Sequence, residues 1–314
     1  MIDQLDPEQP FFIAGGTGMV GSAINRHLLN SGFTNVLKPG RAEVDYLDRE
    51  QTFEYILDTK PRYAVVAAAK VGGIIANDTK SADFISENLQ IQVNVLDACT
   101  EAKVERLVFL GSSCIYPKFS NQPILEEYLM TGPLEPSNEA YAIAKIAGIH
   151  QVRAIRKQHN LRWITAQPCN LYGPGDNYDP LQSHVIPALI RRYISASQNE
   201  LPNVTNWGSG TAMREFLHVD DLAEAILFLL SHYDSNEPIN VGSGVEISIF
   251  NLAKMISRLT NFKGETFWDK SKPDGTPQKL LDNTKINELG WTPSIDLEEG
   301  LKATIGELPR TIFN

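Results

Sequence analysis

A four-residue apolar run, Phe11-Phe12-Ile13-Ala14, leads directly into a stretch that carries Gly15, Gly16, Gly18 and Gly21. Gly15, Gly18 and Gly21 satisfy Gly-x-x-Gly-x-x-Gly, and Gly16, Gly18 and Gly21 satisfy Gly-x-Gly-x-x-Gly. Residues 20–29 then space their apolar side chains at helical intervals as far as Gly32. A buried strand, a glycine turn and a helix, in that order, open a dinucleotide-binding unit. Missing Cβ atoms let the backbone approach a pyrophosphate, and the positive end of the helix attracts its charge. The bland alternative is a plain glycine-rich turn, and the strand–turn–helix frame argues against it. Gly15, Gly16, Thr17, Gly18, Met19, Val20 and Gly21 are therefore the expected cofactor cradle.

The pattern that follows is alternating. Strand-like runs at 35–38, 63–69, 106–111 and 163–167 are separated by helical patterns at 50–58, 81–101 and around Tyr141. Strands alternating with helices of this length imply βαβ units. The expected fold is α/β: a doubly wound parallel sheet (Rossmann) with a smaller C-terminal α/β substrate lobe. Residues 1–175 are assigned to the cofactor-binding domain, with later returns to it near 216–243, and 176–314 mostly to the substrate lobe.

Composition excludes several classes. With 28 Lys and Arg against 38 Asp and Glu, the formal charge is -10, which argues against a nucleic-acid surface. Apolar runs fall far short of the roughly 18 residues a membrane helix needs, and the mixed, acidic opening residues do not read as a signal peptide. A cytoplasmic location is the default. Cys99, Cys114 and Cys169 are too few and too scattered for a disulfide framework or a metal site.

The second strand ends in Val36-Leu37-Lys38-Pro39-Gly40-Arg41. An NAD site usually has a carboxylate near this point for the ribose 2′-hydroxyl. Lys38 and Arg41 instead suit a 2′-phosphate, so NADP(H) is the expected cofactor. Further on, Tyr141 and Lys145 stand four residues apart in a helical pattern and share a face. Taken alone the spacing is common. An ammonium beside a phenol would pull its pKa from about 10 toward neutrality. Such a Tyr can exchange a proton with a carbonyl oxygen while hydride moves at the attached carbon.

With the glycine loop, Gly111-Ser112-Ser113-Cys114-Ile115-Tyr116-Pro117 and the Tyr141/Lys145 pair, the chain resembles the extended short-chain dehydrogenase/reductases. Ala67-Ala68-Ala69-Lys70-Val71-Gly72-Gly73-Ile74, Asn170-Leu171-Tyr172-Gly173-Pro174, Ser183-His184-Val185-Ile186-Pro187, Trp207-Gly208-Ser209-Gly210-Thr211 and Met213-Arg214-Glu215-Phe216-Leu217-His218 narrow the resemblance to the GDP-L-fucose synthase family. So does Ser271-Lys272-Pro273-Asp274-Gly275-Thr276-Pro277. Gly16-Thr17 departs from that family's usual residues, and Cys169 stands where Thr or Ser is usual.

The resemblance implies epimerisation of GDP-4-keto-6-deoxy-D-mannose at C3 and C5, then NADPH-dependent reduction at C4. It gives Tyr141 the role of proton donor at O4, Lys145 that of its partner and ribose ligand, and Ser112 a hydrogen bond to O4. It makes Cys114 and His184 the base and acid on opposite faces, without saying which acts at which carbon. Pro168, Asn170, Leu171 and His184 are expected along the nicotinamide. For the nucleotide, Arg192 and Arg214 suit the diphosphate, Trp207 offers a flat face, and Asp274 an acceptor. Arg191 is expected to be solvated. A homodimer is the expected assembly. The alternative function is another nucleotide-sugar epimerase or dehydratase of the same superfamily.

Overall fold

β1 (Phe11–Ala14) is buried along its whole length, as a central parallel strand must be. After it come α1 (Met19–Asn30), β2 (Val36–Leu37), α2 (Arg49–Thr59), β3 (Tyr63–Val66), α3 (Ile74–Thr79), α4 (Ser81–Glu101), β4 (Arg106–Leu110), α5 (Glu139–His159) and β5 (Arg162–Pro168). The computed structural model describes residues 4–180, 182–272, 274–308 and 313. Local chemistry sets several boundaries. Asp48 caps α2 by accepting from the Gln51 amide, and left-handed Asn160 closes α5.

The second half continues with β6 (Asn170–Tyr172), α6 (Val185–Gln198), β7 (Asn203–Trp207), β8 (Met213–His218), α7 (Val219–His232) and β9 (Ile239–Val241). It ends with β10 (Glu246–Ser248), α8 (Ile249–Leu259), β11 (Glu265–Asp269), β12 (Gln278–Lys279), α9 (Thr284–Leu289) and α10 (Leu297–Gly306).

Six strands form the main sheet in the order β2-β1-β3-β4-β5-β9, every pair parallel. The chain leaves β1 toward β2 on one side and returns to β3 on the other. That reversal opens a crevice beyond the carboxyl ends of β1 and β3, where a doubly wound sheet takes its ligand. The expected parallel α/β fold is the one observed. β9 extends the main sheet beside β5, and α7 lies against α1.

The remaining strands are short. β8 pairs antiparallel with β10 and parallel with β12 and β6, while β7 pairs parallel with β11. Two apolar clusters result. The larger joins β1, β3, β4 and β5 to α1, α4, α5 and α7. The smaller gathers Ile186, Ile190 and Tyr193 of α6 with Leu252 and Ile256 of α8 and Leu301 of α10. Each fully buried Leu, Ile or Phe contributes about 1.5–3 kcal/mol, so both clusters are substantial. Among the described residues, no helix is long and apolar enough to cross a membrane.

Two expectations need correction. The strand expected over 63–69 stops at Val66, because residues 67–73 leave the sheet to pass beneath the glycine turn. The looser second half also holds β6, β8, β10, β11 and β12, which the sequence pattern did not single out.

Candidate active site

The glycine turn is built for close approach. Gly15 has φ +84°, and a Cβ there would lie 2.7 Å from the Ala68 amide nitrogen. A Cβ on Gly21 would meet the Gly15 carbonyl at 2.1 Å, so α1 can start against the turn only with glycine at that position. Gly18 is the N-cap of α1 and has no side-chain capping bond. A Cβ on Gly18 would touch only the Gly15 carbonyl, at 3.6 Å. Thr17, Met19 and Val20 complete the turn and the first helical positions. The amides that begin α1 therefore face open space of the kind a pyrophosphate fills, and these residues fit a dinucleotide.

Lys38 leans on this turn: its Cβ lies 2.5 Å from where a Gly16 Cβ would be. Arg41 is largely exposed and reaches Asp45 at 3.4 Å. Both cations thus lie just beyond β2.

β4 delivers the chain through Gly111 to Ser112 and then to a 3-10 turn, Ser113–Ile115. Gln167, fully buried on β5, accepts from the Ser112 amide at 3.2 Å, and a Cβ on Gly111 would strike the Gln167 carbonyl oxygen at 1.8 Å. The Ser112 hydroxyl accepts from the Cys114 amide at 3.2 Å and is near enough to the Tyr141 phenol to favour its ionised form. Cys114 is half-buried, whereas Cys99 and Cys169 are buried, and all three thiols are free. Tyr141 and Cys114 are close enough for the sulfur to disfavour the phenolate. Ser112, Cys114, Tyr141 and Lys145 therefore form one group at the carboxyl end of the sheet.

Lys145 lies one turn along α5 from Tyr141 and is almost fully enclosed. Its ammonium donates to the Leu110 carbonyl at 2.8 Å and stands 4.9 Å from the Phe109 ring centroid and 5.9 Å from that of Tyr141. Burial lowers its pKa to about 8. The Tyr141 pKa is raised, first by burial and then by Cys114, with Ser112 opposing. This corrects the expectation of a phenol tuned toward neutrality. Desolvation outweighs the neighbouring ammonium here, and the phenol is held as a proton donor.

His184 is the N-cap residue of α6 and is exposed to solvent, and its ring makes no hydrogen bond among the described residues. Protein walls around it still lower its pKa by desolvation. The ring therefore lies at the surface beside other protein groups rather than within the core. Residues 182–183 pack against Gly73, so the α6 entrance abuts the loop that follows β3. The described contacts do not join His184 to the Tyr141 group.

Arg214 on β8, Asp274 and Trp207 cluster at one rim. Arg214 donates to the Asp274 carbonyl at 3.3 Å and to the Met213 carbonyl at 2.7 Å. Asp274 spends both carboxylate oxygens on Ser209, at 2.7 Å from its amide and 2.8 Å from its hydroxyl. It pins the Gly208–Gly210 turn as well as facing outward. Pro273 of the same motif lies outside the described residues. Trp207 is about half exposed, 47%, with the Lys272 ammonium 5.9 Å from its ring. Arg192 on α6 donates to Asn206 at 2.6 Å, next to Trp207. Burial lowers the pKa of Arg192 and of Arg214, while Cys114 and Asp274 pull the latter back up. Arg191 is not solvated as expected: it donates to the Tyr178 carbonyl at 2.9 Å and lies over Phe313.

Of the residues expected along the nicotinamide, Pro168 ends β5 and Leu171 lies on β6. Asn170 turns its amide inward to the Glu215 carbonyl at 2.9 Å. Two further residues join the group unannounced by any motif. Gln167 fixes Ser112, and Lys279 of β12 reaches the Cys114 sulfur at 3.6 Å. Gln167 carried only the signal of a polar residue inside an apolar strand.

Residues 11–242 match the model of the NAD dependent epimerase/dehydratase family. A rice protein named as a probable GDP-L-fucose synthase 1 is 54% identical over 294 residues, covering 93% of this chain and 90% of its own length. GDP-L-fucose synthase 1 of Arabidopsis thaliana is 51% identical over 309 residues, with 98% and 96% covered. Among solved structures, a GDP-L-fucose synthetase from Naegleria fowleri bound to NADP superposes with a TM-score of 0.90 at 29% identity, covering 97% of this chain and 94% of that one.

Proposed function

We propose that this chain, which belongs to the NAD dependent epimerase/dehydratase family, works as a GDP-L-fucose synthase, converting GDP-4-keto-6-deoxy-D-mannose to GDP-L-fucose with NADPH. The observation that carries this reading is Cys114, a half-buried thiol beside the Tyr141 phenol. A plain C4 reductase needs the phenol but has no use for a proton acceptor there. Near-complete coverage at about half identity with the GDP-L-fucose synthases, and the NADP held by the Naegleria relative, support both substrate and cofactor.

The C4 ketone acidifies the C–H bonds at C3 and C5. Cys114 takes a proton from one face and His184 returns one on the other, inverting each carbon. Tyr141 and Ser112 hold O4 as negative charge gathers there. The bound cofactor supplies hydride to C4. Tyr141 then gives O4 its proton, a task suited to a phenol that burial keeps protonated. Lys145, with a pKa near 8, keeps its ammonium charged at neutral pH one helical turn from the phenol. Arg192 and Arg214 take the diphosphate, Trp207 and Asp274 the nucleotide and sugar, and Lys38 and Arg41 the 2′-phosphate.

A homodimer and a cytoplasmic site of action complete the reading. Exposed Val93 on α4 and Ile143 on α5 support the dimer, since both lie on the paired helices most able to meet a symmetry mate.

The test is NMR analysis of the product formed from GDP-4-keto-6-deoxy-D-mannose and NADPH in deuterated water. GDP-L-fucose carrying deuterium at C3 and C5, with one NADPH oxidised per product, is expected. Cys114→Ser should stop the deuterium wash-in, and Tyr141→Phe should abolish reduction. A C4-reduced product without deuterium at C3 or C5 would leave only a reductase.

A further inference from the structure

Lys279 belongs to no motif, yet it is the cation nearest the Cys114 sulfur among the described contacts. β12 has two residues, paired in register with β8 so that Gln278 lies opposite Met213 and Lys279 opposite Arg214. Successive strand residues point to opposite faces. Gln278 turns to Glu246, at 2.9 and 3.0 Å, while Lys279 turns to Cys114 at 3.6 Å. The next residue is tied on both sides: the Leu280 amide donates to Gln122, and its carbonyl accepts from Ile124 at 2.7 Å. Lys279 is thus aimed by backbone pairing on one side and by the loop after Cys114 on the other.

The charges around the sulfur agree. Lys279 faces it from β12 and Arg214 from β8. Lys118, in the loop after Cys114, is matched by Glu135 at 2.9 Å, and Tyr141 faces from α5 as a neutral phenol. Of the carboxylates that face this group, Glu135 is matched by Lys118, Asp274 accepts from Ser209, and Glu215 accepts from Gly244, Leu281 and Asn283, which leaves Lys279 and Arg214 facing the sulfur. Behind it lies a cavity of about 10 Å³, lined by Ser113, Glu135, Thr276, Gln278 and Lys279. That is room for about one water, so bulk solvent does not screen the pair from behind.

We propose that Lys279 is a positioning residue for Cys114, holding its sulfur against the cleft wall where it takes a proton from the sugar. This rests on the reading of Cys114 as the base in epimerisation. No group is transferred to or from Lys279: the ammonium orients the sulfur and offsets its charge. Two carbons must be inverted in succession, so the sulfur must be ready twice, and a fixed cation serves both.

Two measurements on the full-length protein test it. Alkylation of Cys114 by iodoacetamide without substrate, followed by peptide mass, reads the reactivity of that sulfur, since Cys99 and Cys169 are buried. Lys279→Met should slow it about tenfold, and Lys279→Arg should keep it within about threefold. Lys279→Met should also depress deuterium wash-in at least about tenfold more than it depresses oxidation of GDP-L-fucose by NADP, which needs no epimerisation. Unchanged alkylation in Lys279→Met, equal slowing in both variants, or equal loss of wash-in and oxidation would each overturn the proposal. Persistent wash-in with Cys114→Ser would instead sink the functional reading, while alkylation would still report on the pairing.

Discussion

Replacing Lys145 with Met separates what this side chain costs the fold from what it does for the reaction. The ammonium is almost fully buried, and its pKa falls from 10.5 to about 8. Below about pH 8 the folded protein carries a charge it would rather not hold. Between about 8 and 10.5 the unfolded chain keeps the proton and the folded one releases it, so this group's penalty is relieved as pH rises. A shift of that size corresponds to about 3 kcal/mol at pH 7. Met matches the side chain in length and is uncharged, so it removes the penalty. It also leaves the Leu110 carbonyl without its 2.8 Å donor, at about 1–2 kcal/mol. Lys145→Met should therefore be more stable than the parent by about 1–2 kcal/mol near pH 7. It should lose that lead as pH climbs past about 8 and fall behind near pH 10. Urea unfolding of both proteins at several pH values gives the difference directly, with the titrations common to both cancelling. Reduction of the keto-sugar nucleotide should drop by about 10²-fold or more in the same variant. A stability difference that is flat with pH, or that grows in favour of Met above pH 8, would refute the buried-ammonium account.

Three other outcomes follow from the geometry. Gly21→Ala would drive a Cβ to 2.1 Å from the Gly15 carbonyl, and because the obstacle is backbone it should weaken NADPH binding at least about tenfold by fluorescence titration. Glu215 is fully buried and accepts from the amides of Gly244 at 2.7 Å and Leu281 at 2.9 Å and from Asn283 at 3.3 Å. Glu215→Gln would turn an NH2 toward one of these donors and should cost about 2–4 kcal/mol in chemical denaturation. Lys38→Ala with Arg41→Ala should raise the KM for NADPH about tenfold while leaving that for NADH little changed, measured by absorbance of the reduced cofactor.

Much of the fold could be read in advance where one physical signal dominated. β1, α1, α4 and α5 have long apolar periodicities or glycine punctuation, and helix α4 was placed at its observed ends. β8 and β12 were not, because strands of six and two residues in a region thick with charge show no clean alternation. Within the site, Tyr141, Lys145, Ser112 and Cys114 come together through local spacing and the carboxyl end of β4. The direction of the Tyr141 shift was misjudged because spacing reveals the neighbouring ammonium but not how dry the pair would be. Arg191 differs for a related reason: adjacency to Arg192 says that the two do not share a face, not that the Tyr178 carbonyl waits on the other side. Lys279 and Gln167 act through strands distant in sequence, and nothing local marks them.

The division between the two apolar clusters has a practical side. Ser112 follows β4 of the main sheet and Tyr141 and Lys145 lie on α5 packed beside it, whereas Trp207, Arg214 and Asp274 hang from short strands and turns around the lesser cluster. Redesigning the 207–211 and 271–277 turns is thus a route to admitting a different sugar nucleotide without disturbing hydride delivery. Lys279 marks the limit of that freedom, since changing the length of the second turn would shift the register of β12 and carry its ammonium away from the sulfur.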